Sequence, residues 1–121
     1  MKKLVGVSSY HDWEVNELRA DREFAVEYLK VALESLDNPA ERGASLRMLR
    51  ALAEAYGGIG AVAKQAGISR ESLYRSLSPK GNPTLKTLIA VVTTMGLRLS
   101  VVEEPPAKKK RSKTKDARVA A

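Results

Sequence analysis

The side chains best suited to chemistry lie together in residues 69–75, which read Ser-Arg-Glu-Ser-Leu-Tyr-Arg. Arginine can donate two hydrogen bonds to O6 and N7 of guanine, glutamate can accept one from N4 of cytosine, and serine can bond a base or a phosphate. At about 100° per residue of a helix, Glu71 and Arg75 point away from the leucines of this segment. The spacing therefore predicts a helix whose polar face suits the major groove of DNA.

A turn of suitable chemistry precedes this helix. Gly67 can adopt the positive φ of a tight turn, and Ser69 can cap the helix by accepting from a free backbone N–H. Ala63 is small enough to let two helices touch. The residues that can hold the second helix on the rest of the domain are apolar: Val62, Ile68, Leu73 and Leu77. This arrangement predicts a helix-turn-helix.

The alternative for the polar face is an ordinary solvated surface with an ion pair between Glu71 and Arg75. The basic surroundings favour nucleic acid, because residues 57–100 carry 6 basic and 1 acidic side chains, a net charge of +5. Flanking polar residues can hold phosphates without reading sequence. The predicted DNA-binding residues are Ser69, Arg70, Glu71, Ser72, Tyr74, Arg75, Lys64, Gln65, Lys80 and Asn82.

The elements that must position this face are helical. Apolar residues at i, i+3 and i+4 spacing predict five helices between residues 21 and 96, the first capped by Asp21 and the last beginning at Thr84. Alternating apolar residues over 97–102 predict a short C-terminal strand. We thus expect an all-α domain over residues 21–104, preceded by an aperiodic segment over 1–20 and followed by a disordered basic tail over 105–121.

Composition excludes several functions. The chain of 121 residues has no Cys and one His, so disulfides and thiolate or imidazole metal clusters are excluded. Residues 57–60 are glycine-rich but lack the following Lys-Ser/Thr of a phosphate loop. We therefore expect neither an enzyme nor a cofactor. No stretch approaches the roughly 20 apolar residues of a membrane span. The apolar residues 4–7 are too few for the apolar core of a signal peptide. Together these observations predict a cytoplasmic protein.

Four segments carry a family resemblance: Glu27-Tyr28-Leu29-Lys30 with Ala32-Leu33-Glu34, residues 68–75, Gly81-Asn82-Pro83-Thr84, and residues 96–101. Through them, residues 21–102 resemble the addiction-module antidote (HigA-like antitoxin) family of the Xre-type helix-turn-helix superfamily. The resemblance implies a five-helix lambda-repressor-like DNA-binding domain that dimerises and represses its own operon. It also implies a toxin partner of the RelE/ParE-like type.

The resemblance leads us to expect an antitoxin of a type II toxin–antitoxin module, which binds double-stranded operator DNA as a homodimer and neutralises its toxin by direct contact. Because such toxins are commonly basic, residues 1–56, with 8 basic and 10 acidic side chains, fit the toxin-binding part. The expected toxin contacts are Trp13, Glu14, Glu17, Phe24 and Tyr28. Two alternatives stay open: a free-standing Xre-type repressor without a toxin, and a protein-binding antidote whose helix-turn-helix no longer reads DNA.

Overall fold

The computed structural model describes residues 9–105, which form six α-helices. They are α1 (Ser9–Ala20), α2 (Arg22–Glu34), α3 (Arg42–Ala55), α4 (Gly58–Ala66), α5 (Arg70–Ser76) and α6 (Leu85–Thr94). α3 is central, since it packs against α1, α2, α4 and α6. Its leucines at 46, 49 and 52 are wholly buried. None of these helices combines the length and the apolar composition needed to cross a membrane.

The expected all-α class is confirmed, but the prediction of five helices with a C-terminal strand is wrong. The additional helix is α1, which lies in the segment that shows no helical period. Its inward side carries Val15 and Leu18, both buried, but also the buried carboxylate of Glu14 and the half-buried ring of His11. Polar residues thus occupy inward positions of this helix, and a search for apolar periodicity does not detect it.

Residues 97–102 form no strand, although their apolar residues alternate as expected. The N–H groups of Gly96 and Leu97 donate to carbonyls of α6 and close that helix. Beyond this point, no backbone hydrogen bond joins residues 98–105 to another part of the described chain. Because a strand exists only when it pairs with a neighbour, alternation alone is insufficient. Residues 106–121 of the predicted basic tail lie outside the described range.

Side-chain caps set the starts of three helices. In each case a side-chain oxygen accepts a hydrogen bond from the backbone N–H three residues further on. The pairs are Asp21 with Phe24 at 3.0 Å, Ser69 with Ser72 at 3.0 Å, and Thr84 with Thr87 at 3.2 Å. The caps by Asp21 and Ser69, predicted from residue type, are confirmed, and the cap by Thr84 is an additional finding. All three supply acceptors for N–H groups that have no partner within the helix.

A polar cluster around the buried Glu14 attaches α1 to α2 and α3. The Glu14 carboxylate, only 4% exposed, accepts from the hydroxyl of Tyr28 and, at 3.2 Å, from Nη1 of Arg47. Burial and the nearby Glu14 carboxylate raise the pKa of Tyr28 above its ordinary value, so the phenol stays protonated and donates. The cluster satisfies a carboxylate that would otherwise destabilise the fold.

Replacing Tyr28 by Phe is expected to lower the free energy of unfolding by about 1–3 kcal/mol, because Glu14 then loses a hydrogen-bond donor in a buried position. Urea denaturation measures this change. The matched control is Tyr10→Phe, which removes the hydroxyl of a tyrosine that is 65% exposed and should leave stability unchanged. Equal stability of both variants would show that the buried hydroxyl contributes nothing.

Candidate functional site

α4 and α5 are in contact and are joined by the three residues Gly67, Ile68 and Ser69. Gly67 has a φ of 73°, in the left-handed region that favours glycine. The N–H of Gly67 donates to the carbonyl of Lys64, and that of Ile68 donates to the carbonyl of Ala63. These bonds end α4, so that the chain turns before Ser69 caps α5.

The two faces of α5 differ as their spacing predicts. Leu73 is wholly buried and Leu77, directly after the helix, is 1% exposed. Arg70, Glu71 and Arg75 are exposed on the other side. The buried leucines fix the rotation of α5, so its opposite side faces solvent. Both guanidinium groups and the carboxylate on that side are therefore accessible to a large ligand.

The remaining predicted DNA-binding residues lie in or beside these two helices. Lys64 and Gln65 are exposed near the end of α4, while Lys80 and Asn82 are exposed in the loop after α5. Within α5, the ring of Tyr74 is 42% exposed and Ser72 is half-buried. None of the ten predicted residues is buried, so each is accessible to solvent.

A groove of about 560 Å³ between the start of α4 and α5 brings three of these residues together, namely Lys64, Arg70 and Tyr74. The Arg70 guanidinium lies against Gly60, where a Cβ atom would be 2.6 Å from its Nη2. The first turn of α4, residues 58–61, lines the same groove. The free N–H groups of a helix start carry partial positive charge, which adds to the two cations of the groove, while Glu54 contributes one carboxylate to the same lining.

Sequence reasoning missed a row of side chains that joins α1, α3 and α5. The Cζ atom of Arg50 lies 5.1 Å from the ring centroid of Tyr74, and its Nε lies 3.5 Å from Oε2 of Glu54. Nε2 of His11 contacts the other oxygen of Glu54. The i, i+4 spacing of Arg50 and Glu54 is visible in the sequence, whereas the approach of Tyr74 and His11 is not. Within residues 9–105, no group of three or more His, Cys, Asp or Glu side chains could hold a metal ion.

A second surface lies on α1 and α2. Two of the five predicted toxin contacts expose their rings to solvent, and the other three are buried or half-buried. Trp13 is 55% exposed and Phe24 is 40% exposed. Glu17 is half-buried, while Glu14 and Tyr28 hydrogen-bond to each other between the helices. Phe24 also borders a shallow cavity of about 420 Å³ that is otherwise lined by carboxylates, those of Asp21, Glu23 and Glu27.

Tyr10 belongs to the same surface but escaped the sequence analysis. Its ring centroid lies 5.9 Å from that of Trp13, and the two planes are inclined by 32°. Tyr10 and Trp13 are neighbours because residues three apart lie on one face of a helix, and the sequence analysis did not predict a helix there. The surface thus presents two adjacent aromatic rings to solvent.

Comparisons with known proteins place these features in a family. A family model described as "Probable addiction module antidote protein" matches residues 9–103, from the first residue of α1 to beyond the end of α6. A protein of Haemophilus influenzae, described as uncharacterized, is 48% identical over 40 residues, which span 33% of this chain and 41% of that protein. No solved structure matches the chain significantly.

The family match confirms the antidote part of the expected resemblance, while its assignment to the HigA-like and Xre-type groups stays a prediction. The match includes α1, which the resemblance seen in residues 21–102 did not reach. All six helices therefore lie within the matched residues. This chain belongs to the family of probable addiction module antidote proteins.

Proposed function

We propose that this chain is the antitoxin of a type II toxin–antitoxin module, which binds operator DNA through α5 and neutralises a toxin through α1 and α2. Membership of the antidote family supports a toxin partner in general terms. The observation that carries the DNA-binding part is the division of α5 between the buried Leu73 and the exposed arginines. The proposed activity is binding alone, in the cytoplasm, without catalysis or a cofactor.

For DNA, we propose that α4, the turn at Gly67 and α5 act as a helix-turn-helix. The N-terminal turn of α5, with Arg70 and Glu71, then contacts base edges in the major groove. The diameter of an α-helix with its side chains, about 10–12 Å, matches the width of that groove, about 12 Å, and the seven residues of α5 extend for about 10 Å. Arg75, one turn later, therefore reaches bases or the far phosphates.

We infer that the DNA-bound form is a homodimer that represses its own operon. One helix of seven residues reads few base pairs, and a second copy doubles the recognised sequence. In such dimers the two recognition helices lie about 34 Å apart, in successive major grooves. The net charge of +5 over residues 57–100 supports binding to the phosphate backbone.

For the toxin, we propose a basic partner of the RelE/ParE-like type that binds the exposed face of α1 and α2. Residues 9–34 carry 7 acidic and 3 basic side chains, a net charge of −4, which complements a basic surface. Trp13 and Phe24 provide exposed aromatic rings, the residue type that dominates binding energy at interfaces. Glu14 and Tyr28 contribute by fixing α1 on α2, and Glu17 lies at the edge of the surface.

Replacing Arg75 by Ala is expected to weaken binding to the operator by about 1–3 kcal/mol, because a bidentate contact to one guanine is lost. Mobility-shift titration measures the affinity for two duplexes, one with the DNA upstream of the chain's own reading frame and one with a random sequence. Lys30→Ala removes one cation from α2 and serves as the control with unchanged affinity. An equal loss on both duplexes would show that Arg75 contacts phosphate only. No binding by the wild type would leave the protein-binding antidote as the function.

Replacing Gly60 by Ala is expected to lower DNA affinity by roughly tenfold, because the new Cβ displaces the Arg70 guanidinium from α4 and one charge-assisted contact is lost. The backbone at Gly60 is ordinary helix, so thermal stability should be unchanged or higher. Fluorescence anisotropy with the operator duplex and thermal unfolding measure the two effects. Undiminished affinity would show that the position of Arg70 against α4 is irrelevant to binding.

Replacing Trp13 or Phe24 by Ala is expected to weaken the toxin complex by about 2 kcal/mol or more, because each removes a central aromatic contact. The measurement is calorimetry with the product of the adjacent reading frame after co-expression. Val31→Ala, on an α2 side chain that is 50% exposed, is the matched control and should bind normally. If no basic neighbouring product co-purifies with the chain, the free-standing repressor becomes the better description.

A further inference from the structure

The loop after α5 is held by Arg42, the first residue of α3. Nη1 of Arg42 donates to the carbonyl of Leu36 at 3.3 Å. Nη2 donates to the carbonyl of Gly81 at 3.1 Å and to Oδ1 of Asn82 at 2.9 Å. One guanidinium therefore joins the α2–α3 connection to the loop that follows α5.

The same loop is packed on the last turn of α5. A Cβ atom on Gly81 would lie 2.2 Å from the carbonyl oxygen of Ser76 and 2.5 Å from that of Arg75, so only glycine fits. The N–H of Gly81 donates to the carbonyl of Ser78 at 2.8 Å, and Oγ of Ser78 donates to the carbonyl of Arg75 at 2.8 Å. The position of Asn82 is thereby coupled to that of α5.

Arg42 decides which end of the Asn82 amide faces outward. A side-chain amide has one oxygen acceptor and one nitrogen with two donors. Arg42 binds the oxygen, and Asn82 is an exposed residue, so the nitrogen is the polar group that it offers to a ligand. The charge-assisted bond from the guanidinium polarises the amide and makes that nitrogen a better donor. Neutral amide donors of this kind commonly bind DNA phosphates.

We propose that Arg42 is a positioning residue, which holds Asn82 so that its amide nitrogen donates to a phosphate oxygen of DNA bound on α5. Arg42 itself does not touch the DNA. Three of its five N–H donors are directed to protein oxygens, those of Leu36, Gly81 and Asn82, and its side chain is half-buried. This inference rests on the proposed binding of DNA to α5.

The salt dependence of binding separates positioning from direct contact. A cation that neutralises a phosphate contributes about −0.9 to the slope of log K against log salt concentration, whereas a neutral amide contributes nothing. Arg42→Ala is therefore expected to bind a mixed-sequence duplex about tenfold more weakly than the wild type, with an unchanged slope. A slope smaller by about 0.9 would show that Arg42 contacts a phosphate and would overturn the proposal.

Two variants of Asn82 test the role of its amide, and Asn82→Asp does so even if Arg42→Ala fails to fold. Asn82→Ala should lose about the same affinity as Arg42→Ala, and the double variant should lose no more than either, because both act through one donor. Asn82→Asp keeps the oxygen that Arg42 binds but replaces the donating nitrogen with an anion. We expect it to fold with undiminished thermal stability and to bind at least about tenfold more weakly.

The outcomes distinguish this inference from the function on which it rests. A wild-type chain that binds no duplex overturns the proposed DNA binding itself. A wild type that binds, together with Asn82→Asp binding equally well, overturns only the positioning role. Additive losses in the Arg42→Ala, Asn82→Ala double variant would also overturn it, because the two residues would then act independently.

Discussion

Burial of Leu73 and Leu77 determines how α5 is rotated on the domain, and the rest of the candidate site depends on that rotation. Fully burying a leucine side chain contributes about 1.5–3 kcal/mol, whereas an exposed ion pair contributes at most about 1 kcal/mol. The apolar contacts therefore outweigh any pairing of Glu71 with the arginines. With the leucines inward, the helical period places Arg70 and Arg75 in solvent.

The attachment of α1 depends on polar contacts as much as on burial. Glu14 enters the interior only because Tyr28 and Arg47 supply hydrogen bonds and a compensating charge. Glu54 of α3 then contacts His11 of α1 and pairs with Arg50, which covers Tyr74. The surface proposed for the toxin thus lies directly on α3, whereas α5 packs on α4 and meets α3 through the contact of Tyr74 with Arg50.

Much of the fold could be predicted because its signals are local. The capping oxygens of Asp21 and Ser69 act on N–H groups three residues away, and the left-handed turn at Gly67 is a property of one residue. The strand over 97–102 was predicted wrongly because alternation describes a side-chain pattern and says nothing about a pairing partner. α1 was not predicted because polar residues at inward positions interrupt its apolar face.

The sequence by itself determined the two faces of α5, the turn before it and the charge difference between the two halves of the chain, since periodicity, capping and charge are read from neighbouring positions. Only the tertiary structure decided that α1 belongs to the packed helices, that Gly60 receives Arg70, and that Arg42 bonds Asn82. The last pair lies 40 positions apart, so its approach depends on how whole helices pack. Such contacts follow from the shape of the assembled core, which no short stretch of residues encodes.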